Sequence, residues 1–470
     1  MPAQSDTNPF AANPWACLAV SATGTFMATL DGGIVNVALP VIAHDFSVNI
    51  PLVQWVISAY LLTISCLLPV FGHLGDMTGR KSKYRLGFAL FALASAMCGL
   101  AGSIWLLILA RAVQAVGAAM LMANGPAIVV MSFPGPQRGR ALGMVGMVVS
   151  LGSLAGPAAG GALLGLLGWP WLFYINVPIG LFGVYLAERL LPDDSRESRA
   201  DFDYLGTGIY SVGIISLLLA VSHGGEWGWD SWPTLCFACS AAILLPVFLL
   251  RQTKLAHPVI DLALFRIRSL AVGNLTSMLS FMGLFANTIM LPFFLVRVAG
   301  LSPGRTGLLM AVLPLVMAVA APLSGYFSEK ISPALLTGLG LLITSAALYS
   351  QSNLAATSGQ LRVALGQGAL GLGLGTFIAP NNNAVLGSAP RSKAGVAGSL
   401  MALVRNLGMV CGIALATAMF EGYRSGALAA GAVEQAAFLR GFRAALCAGA
   451  VLTGLGGLLA FVRGPRPDNH

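Results

Sequence analysis

Charge is what this 470-residue chain has least of: only 9% of its residues are Asp, Glu, Lys or Arg. A soluble domain carries roughly a quarter, so an ordinary soluble protein is excluded. Acids are scarcer than bases, 17 against 26, for a net charge of +9. The bases lie in short clusters between long uncharged stretches rather than on one surface, which argues against nucleic acid as a partner. The five histidines form no His-Glu-x-x-His pair, and none of the five lysines sits in a Gly-Lys-Ser/Thr string. Zinc hydrolysis and a phosphate-binding loop for ATP are therefore not expected, nor is any metal or cofactor, and the chain reads as something other than an enzyme. Cys236 and Cys239 have C-x-x-C spacing but no second pair of ligands nearby, and all seven cysteines fall in apolar segments, where cysteine acts as a small hydrophobe. No structural disulfide is expected. No Lys or Arg precedes Arg80, so a secretory leader with a basic start is not visible and the first apolar stretch should persist as a span.

What the chain does have is length without charge. Hydrophobic residues make up 57%, and the stretches 46–75, 86–110, 112–137, 141–187, 269–296 and 331–361 contain no charged residue. A bilayer crossing needs about 20 mostly apolar residues. Cutting at charge clusters and Gly/Pro turns predicts an all-α polytopic membrane protein with fourteen spans: 15–39, 51–71, 84–103, 104–126, 140–166, 172–191, 204–222, 232–250, 270–296, 304–326, 333–351, 361–386, 394–420 and 441–462. With the N-terminus inside, 18 of the 26 bases fall on inner loops, inner span ends or the C-tail, six on the outer side, and two, Arg111 and Arg405, within spans. The positive-inside rule then puts both termini in the cytoplasm of a plasma-membrane protein.

Gly72-His73-Leu74-Gly75-Asp76 after the second span and Gly325-Tyr326-Phe327-Ser328-Glu329 after the tenth each place an acid four residues beyond a glycine. Matching them gives two six-span halves with two spans inserted between, a plan of parallel repeats that secondary transporters use. The expected parts are a cytoplasmic N-tail (1–14), a first half (15–191), a linker (192–203), two inserted helices (204–250), a second linker (251–269), a second half (270–462) and a C-tail (463–470).

Four segments break the apolar pattern. Asp31 lies inside the first span, where a carboxylate costs a few kcal/mol unless it is protonated, paired or wet; proton or cation binding is one reading, a shallow acid near the headgroups the other. Arg111 lies inside the fourth span with Gln114 one turn on, and a guanidinium there needs an acidic or carbonyl partner; a structural tie between helices is the alternative. Gly152, Gly156 and Gly160 recur every four residues beside Pro157 and Gly161, a face that lets helix backbones approach closely. The ten-residue string from Gly72 to Lys81, with Gly75, Asp76, Gly79 and Arg80, reads as an inner loop. A weaker feature is Asn381-Asn382-Asn383, whose amides point to different helix faces.

These strings carry a resemblance. The chain resembles a major facilitator superfamily transporter of the fourteen-span drug:proton antiporter family, the EmrB/QacA type, over nearly its whole length. The loop at 72–81 is similar to the superfamily's G-x-L-a-D-r-x-G-r-k, Arg111 with Gln114 and Gly117 to R-x-x-Q-G-x-G, residues 152–161 to the antiporter motif G-x-x-x-G-P-x-x-G-G, and Leu30 to Pro40 to L-D-x-T-I-V-N-V-A-L-P. Further matches are Gln54 to Tyr60 and Phe173 to Gly180. The chain departs from the pattern at Gly33 (commonly Thr), Met77 (often basic), Ala115 (usually Gly) and Pro170 (commonly Arg).

The resemblance implies gradient-driven export of lipophilic or cationic drugs, the partners being a small-molecule substrate, protons and membrane lipids. Asp31 and Arg111 would couple the proton, with Glu226 and Asp230 as the next acids to consider. Asn36, Gln54, Tyr60, Gln114 and Asn382 would line the substrate cavity, and the 72–81 string would act as a gate. A same-fold exporter dedicated to a metabolite, lipid or peptide is the alternative, and a non-transporting sensor or scaffold is a third.

Overall fold

The computed structural model describes residues 13–193, 203–228, 230–253, 262–328, 330–390 and 394–463; nearly all of both expected tails and much of both linkers fall outside them. Among the described residues every regular element is helical, as the absence of water in a bilayer demands of an open-ended chain that must satisfy its own backbone. In chain order the helices are α1 (Pro14–Asp45), α2 (Ile50–Val53), α3 (Trp55–Thr78), α4 (Arg80–Gly99), α5 (Ile104–Ser132), α6 (Gly135–Leu166), α7 (Trp171–Tyr174), α8 (Asn176–Leu190), α9 (Tyr204–Trp227) and α10 (Trp232–Gln252). After a short 3-10 turn at Leu262–Arg266 come α11 (Arg268–Phe293), which widens into a π turn at Phe294–Val298, then α12 (Pro303–Phe327), α13 (Pro333–Ser352), α14 (Gln360–Ser388), α15 (Ala394–Ala429) and α16 (Glu434–Phe461).

Twelve helical segments, not the fourteen expected, are long and apolar enough among the described residues to cross a membrane. The two that fall short are the third and seventh expected spans. Both are helices, but α4 opens on Arg80, Lys81, Lys83 and Arg85, which leaves too short an uncharged run, and the apolar part of α9 is confined to Leu205–Val221, below the length a bilayer asks for.

The turns follow local chemistry. Ser103 Oγ accepts the Leu106 N–H at 3.3 Å and starts α5, and Asn49 Oδ1 does the same for Leu52 at 3.0 Å ahead of α2. The expected ten-residue loop at 72–81 is almost all helix: α3 runs through Thr78, α4 begins at Arg80, and Gly79 alone makes the corner at φ +91°, a left-handed value that favours glycine.

The described chain groups into two units. The first comprises Met1–Val35 and Thr63–Asp203, the second Asn36–Leu62 and Tyr204–His470. Within the first, α4 packs along α5 and α8. A Cβ on Gly117 would sit 2.7 Å from the Gly87 carbonyl oxygen, so these two helices meet backbone to backbone. Within the second, α13 packs on α14 and α16, α12 on α14, and α15 on α9, α11 and α16. There a Cβ on Gly340 would sit 2.7 Å from the Gly373 carbonyl oxygen, the same device at the same place in its own bundle.

A buried ion pair as candidate functional site

Asp31 comes from the middle of α1 and is fully buried. Arg111 of α5 donates from Nη1 to Asp31 Oδ2 at 2.6 Å, and its guanidinium lies 5.8 Å from the centre of the Phe173 ring. Gln114, one turn along α5, donates from Nε2 to Asp31 Oδ1 at 3.1 Å and to Ser95 Oγ of α4 at 2.7 Å. Arg111 also donates to Gln114 Oε1. Asn176 completes the shell by donating from Nδ2 to Asp31 Oδ1 at 2.9 Å. The break at Ile175 between α7 and α8 puts Asn176 at the first position of α8. Its own Oδ1 is enclosed and accepts nothing.

Chemically, a carboxylate and a guanidinium so deeply buried attract strongly but have both given up their hydration. Three donors on two carboxylate oxygens recover part of that cost. What remains is a site whose stability depends on both charges being present, with one unused acceptor, Asn176 Oδ1, beside the acid.

Asp31, Arg111 and Gln114 are thus brought together. Ser95 and Asn176 belong to the same network and were not singled out from the sequence; Asn176 lay within the Phe173 to Gly180 string, which was the available signal. The other residues fall elsewhere. In the second unit Gln54 is buried and its Oε1 accepts from Thr417 Oγ1 of α15, while Tyr60 is buried and the enclosed Asn36 Oδ1 accepts nothing. Asn382 is half-buried. It is Asn381 that turns inward, donating to the Gly273 carbonyl at 3.2 Å and accepting from Arg463 Nη2 at 2.9 Å.

The glycine face of α6 lies against α1. A Cβ on Gly156 would fall 2.8 Å from Gly33 Cα, and one on Gly160 3.1 Å from Ile34 Cα; Gly152 abuts Thr29 Oγ1, and Gly161 is buried. Gly33, the departure from the threonine pattern, therefore tightens the contact: a Cβ there would meet Gly156 Cα at 3.1 Å. In the 72–81 string Gly75 has room only for hydrogen beside the Asn124 side chain, which donates to the Phe71 carbonyl at 3.2 Å. Lys81 pairs with Asp193 at 3.0 Å. The side chains of Asp76 and Glu226 lie outside the described residues.

A second polar pair was missed. In the second unit Asn287 of α11 and Gln367 of α14 exchange hydrogen bonds, Nδ2 to Oε1 at 3.5 Å and Nε2 to Oδ1 at 3.3 Å, both side chains being buried. These partners are 80 residues apart, as are Asp31 and Arg111, and one shift along the chain carries the first pair onto the second. The repeat read from Gly72 and Gly325 is a shift of 253 residues, whereas the two pairs superpose at the 256 that separate Asp31 from Asn287, so that repeat did not point to them. A groove of about 600 Å³ between α15 and α16, lined by Leu415, Met419, Tyr423, Arg440 and Arg443 among others, contains none of these residues.

Many apolar membrane-length helices, in two units that share a packing plan and enclose a buried ion pair in one of them, define a polytopic membrane transporter. The family model described as Major Facilitator Superfamily matches residues 21–412 and, overlapping it, 273–470. The chain belongs to the Major Facilitator Superfamily, and is a transporter rather than an enzyme. It is 36% identical over 407 residues to the riboflavin transporter RibZ of Clostridioides difficile (strain 630), covering 86% of this chain and 88% of that one. It is 32% identical over 411 residues to the multidrug transporter protein MdtP of Bacillus subtilis (strain 168), covering 86% and 74%. A tetracenomycin C resistance and export protein of Streptomyces glaucescens is 32% identical over 404 residues, covering 86% and 75%. In fold, the chain is similar to a bacterial homologue of the human lysosomal transporter Spinster in an inward-facing, unoccupied conformation, with TM-score 0.70 and 18% identity over 97% of each chain.

Proposed function

We propose that the chain is a proton-coupled exporter of small lipophilic molecules, of the fourteen-span EmrB/QacA type, and that Asp31 carries the proton. The observation that supports this most directly is the buried Asp31–Arg111 pair with its shell of donors. An ionised acid held by a fixed cation has two stable states: paired and dry, or protonated and released from the arginine. A proton on Asp31 would leave it able to donate, and Asn176 Oδ1 is the neighbouring acceptor with nothing yet to accept. Exchange of protonation with access from either side is what an antiporter requires. Both termini are read as cytoplasmic from the Lys and Arg asymmetry.

The helices α4 and α9 are read as the remaining two crossings. Leu86, Leu93, Met97 and Leu100 form one exposed apolar stripe along and just beyond α4, and Leu205, Val212 and Ile215 another on α9; helical stripes of that kind fit a lipid-facing surface. Labelling of single cysteines placed at Leu93 and Val212 by a membrane-impermeant thiol reagent in intact cells tests this, with protection expected at both.

The deciding experiment is gradient-driven dye accumulation in proteoliposomes. Wild-type protein should accumulate substrate when a proton gradient is imposed and stop when it is collapsed; transport indifferent to the gradient would remove the coupling reading. A second reading, a carrier dedicated to one metabolite, draws on the 36% identity to a protein named for riboflavin transport. Uptake or efflux of labelled riboflavin, uncompeted by unrelated dyes, would favour it.

A further inference from the structure

Arg405 lies eleven residues into the 36-residue helix α15, inside the apolar segment Leu400–Ala429. Its Nε is enclosed and has no hydrogen-bond partner, and the guanidinium forms no ion pair among the described residues. The adjacent residue, Asn406, is buried, and its Nδ2 likewise donates to nothing. The Arg405 side chain as a whole is half-buried rather than sealed, with Nε its enclosed nitrogen.

Among the described residues no carboxylate pairs with Arg405. Between Asp261 and Glu421 the sequence contains one acid, Glu329. Glu421 itself pairs with Arg424. Arg111, the other intramembrane arginine, has its own carboxylate in the first unit. A guanidinium cannot shed its proton inside an apolar helix, and a charge left there without a counter-ion is unfavourable. An unmet guanidinium donor without a counter-ion calls for a ligand that brings acceptors and negative charge, and Asn406, about 100° round the helix, adds a donor for a ligand broad enough to reach both. The planar fork of arginine fits a carboxylate, phosphate or sulfonate.

We propose that Arg405, with Asn406 beside it on α15, is the anchor of an anion-binding subsite, and that the substrate is an amphipathic anion: an apolar body carrying a carboxylate, phosphate or sulfonate. This rests on the transport reading above for the word substrate, and it replaces the cationic drugs suggested by resemblance. An unpaired positive charge attracts an anion and repels a cation of the same size. The second unit then contributes recognition, and the first unit contributes coupling.

Carboxyfluorescein and rhodamine 6G, xanthene dyes of opposite charge, separate the alternatives. Their binding to the full-length purified protein is followed by fluorescence anisotropy for the wild type, Arg405→Gln, Arg405→Lys and Asn406→Ala. Carboxyfluorescein should bind the wild type, at least about tenfold more weakly the Gln variant, and within about threefold of wild type the Lys variant, because truncating one partner of a buried charge pair is costly while a retained cation keeps most of the attraction. Asn406→Ala should weaken carboxyfluorescein binding by a few fold, as loss of one hydrogen bond does. Rhodamine 6G binding should not weaken in any variant. Unchanged carboxyfluorescein affinity in the Gln variant, equal loss of both dyes, or a wild type that binds rhodamine 6G alone would each overturn the proposal. If Arg405→Gln were not recovered as folded protein, wild-type affinity in Asn406→Ala would overturn it instead. Arg405-dependent anion binding without movement of either dye in proteoliposomes under an imposed gradient would leave the subsite standing and remove the export reading.

Discussion

The two units place a polar pair at corresponding points of their chains, and only one of the pairs is charged. In the first, Asp31 and Arg111 form a buried ion pair; in the second, Asn287 and Gln367 form a reciprocal amide pair with the same separation in sequence. Both satisfy the basic need of a buried polar contact, which is that no strong donor or acceptor be left facing hydrocarbon. The amide pair does so without charge and cannot change its protonation. The ion pair does so at a desolvation cost that hydrophobic or neutral side chains would avoid. On the proposed coupling reading, the costly solution in one unit is where the charge itself has work to do, whereas the cheap one, Asn287–Gln367, ties α11 to α14.

The sharpest way to break this comparison is to convert the first pair into the second. Asp31→Asn strands the Arg111 charge, and the expected loss is about 3–5 kcal/mol of stability together with all gradient-driven accumulation. The double variant Asp31→Asn/Arg111→Gln reproduces the amide pair of the second unit. It should recover most of the melting temperature and none of the proton-driven accumulation, while downhill exchange of substrate persists. Thermal melting in detergent and transport in proteoliposomes read the two quantities separately. Coupled transport by the double variant would mean that the ion pair is structural and that the proton travels elsewhere.

Next in size is the packing of α6 on α1 against that of α15 on α11. A Cβ on Gly156 would fall 2.8 Å from Gly33 Cα, and a Cβ on Gly412 2.6 Å from Met282 Cα. Both meet backbone, which cannot rotate away as a side chain can. Gly156→Leu and Gly412→Leu should each cost about 1–3 kcal/mol through overpacking and reduce transport, with the larger transport loss at Gly156 because its partner helix carries Asp31 two residues before Gly33. Equal transport loss in the two variants would mean that the glycine faces serve only assembly.

How much of this could be read from the sequence depended on how rare each signal is in an apolar chain. Asp31 and Arg111 stood out because a single charge in a twenty-residue apolar window has few structural excuses, and the glycines of α6 because their spacing matches one helix face. Ser95, Asn176 and the Asn287–Gln367 pair did not stand out, since neutral amides and hydroxyls occur throughout such helices and only a partner in space distinguishes them. The 72–81 string was expected to be a loop because charge and glycine together usually mark one; in the structure all but Gly79 is helix, since α3 and α4 each retain their last and first turns up to that single left-handed residue. The span count failed at α4 for a related reason: basic residues at a helix start shorten the apolar run without shortening the helix.

A smaller effect is expected when the neutral pair is removed. Gln367→Leu leaves Asn287 with an unmet buried amide and should cost about 1–3 kcal/mol, while Asn287→Leu/Gln367→Leu, which removes both polar groups, should be nearer to wild type. Neither should alter the proton dependence of transport. A shift of the pH profile in the Gln367 variant would place coupling chemistry in the second unit as well and would weaken the division drawn between the pairs.

The smallest effect concerns the same two charged groups, a guanidinium and a carboxylate, in a different solvent. Arg85 of α4 pairs with Glu188 of α8, but each side chain is 49% exposed, whereas Asp31 and Arg111 are 0% and 1% exposed. Water around the Arg85 pair screens the attraction and rehydrates whichever partner is left alone, so Arg85→Gln should cost no more than about 1 kcal/mol and should leave coupled transport in place. Added salt should shrink that cost further, because exposed charges are screened over roughly 10 Å at 0.1 M ionic strength, while the penalty of Asp31→Asn should be nearly indifferent to salt. Melting curves of the two variants at low and high salt test this directly. A salt-independent, multi-kcal/mol loss at Arg85 would mean that burial does not set the difference between the two arginine–carboxylate pairs, and the weight placed on the dry Asp31 site would have to be withdrawn.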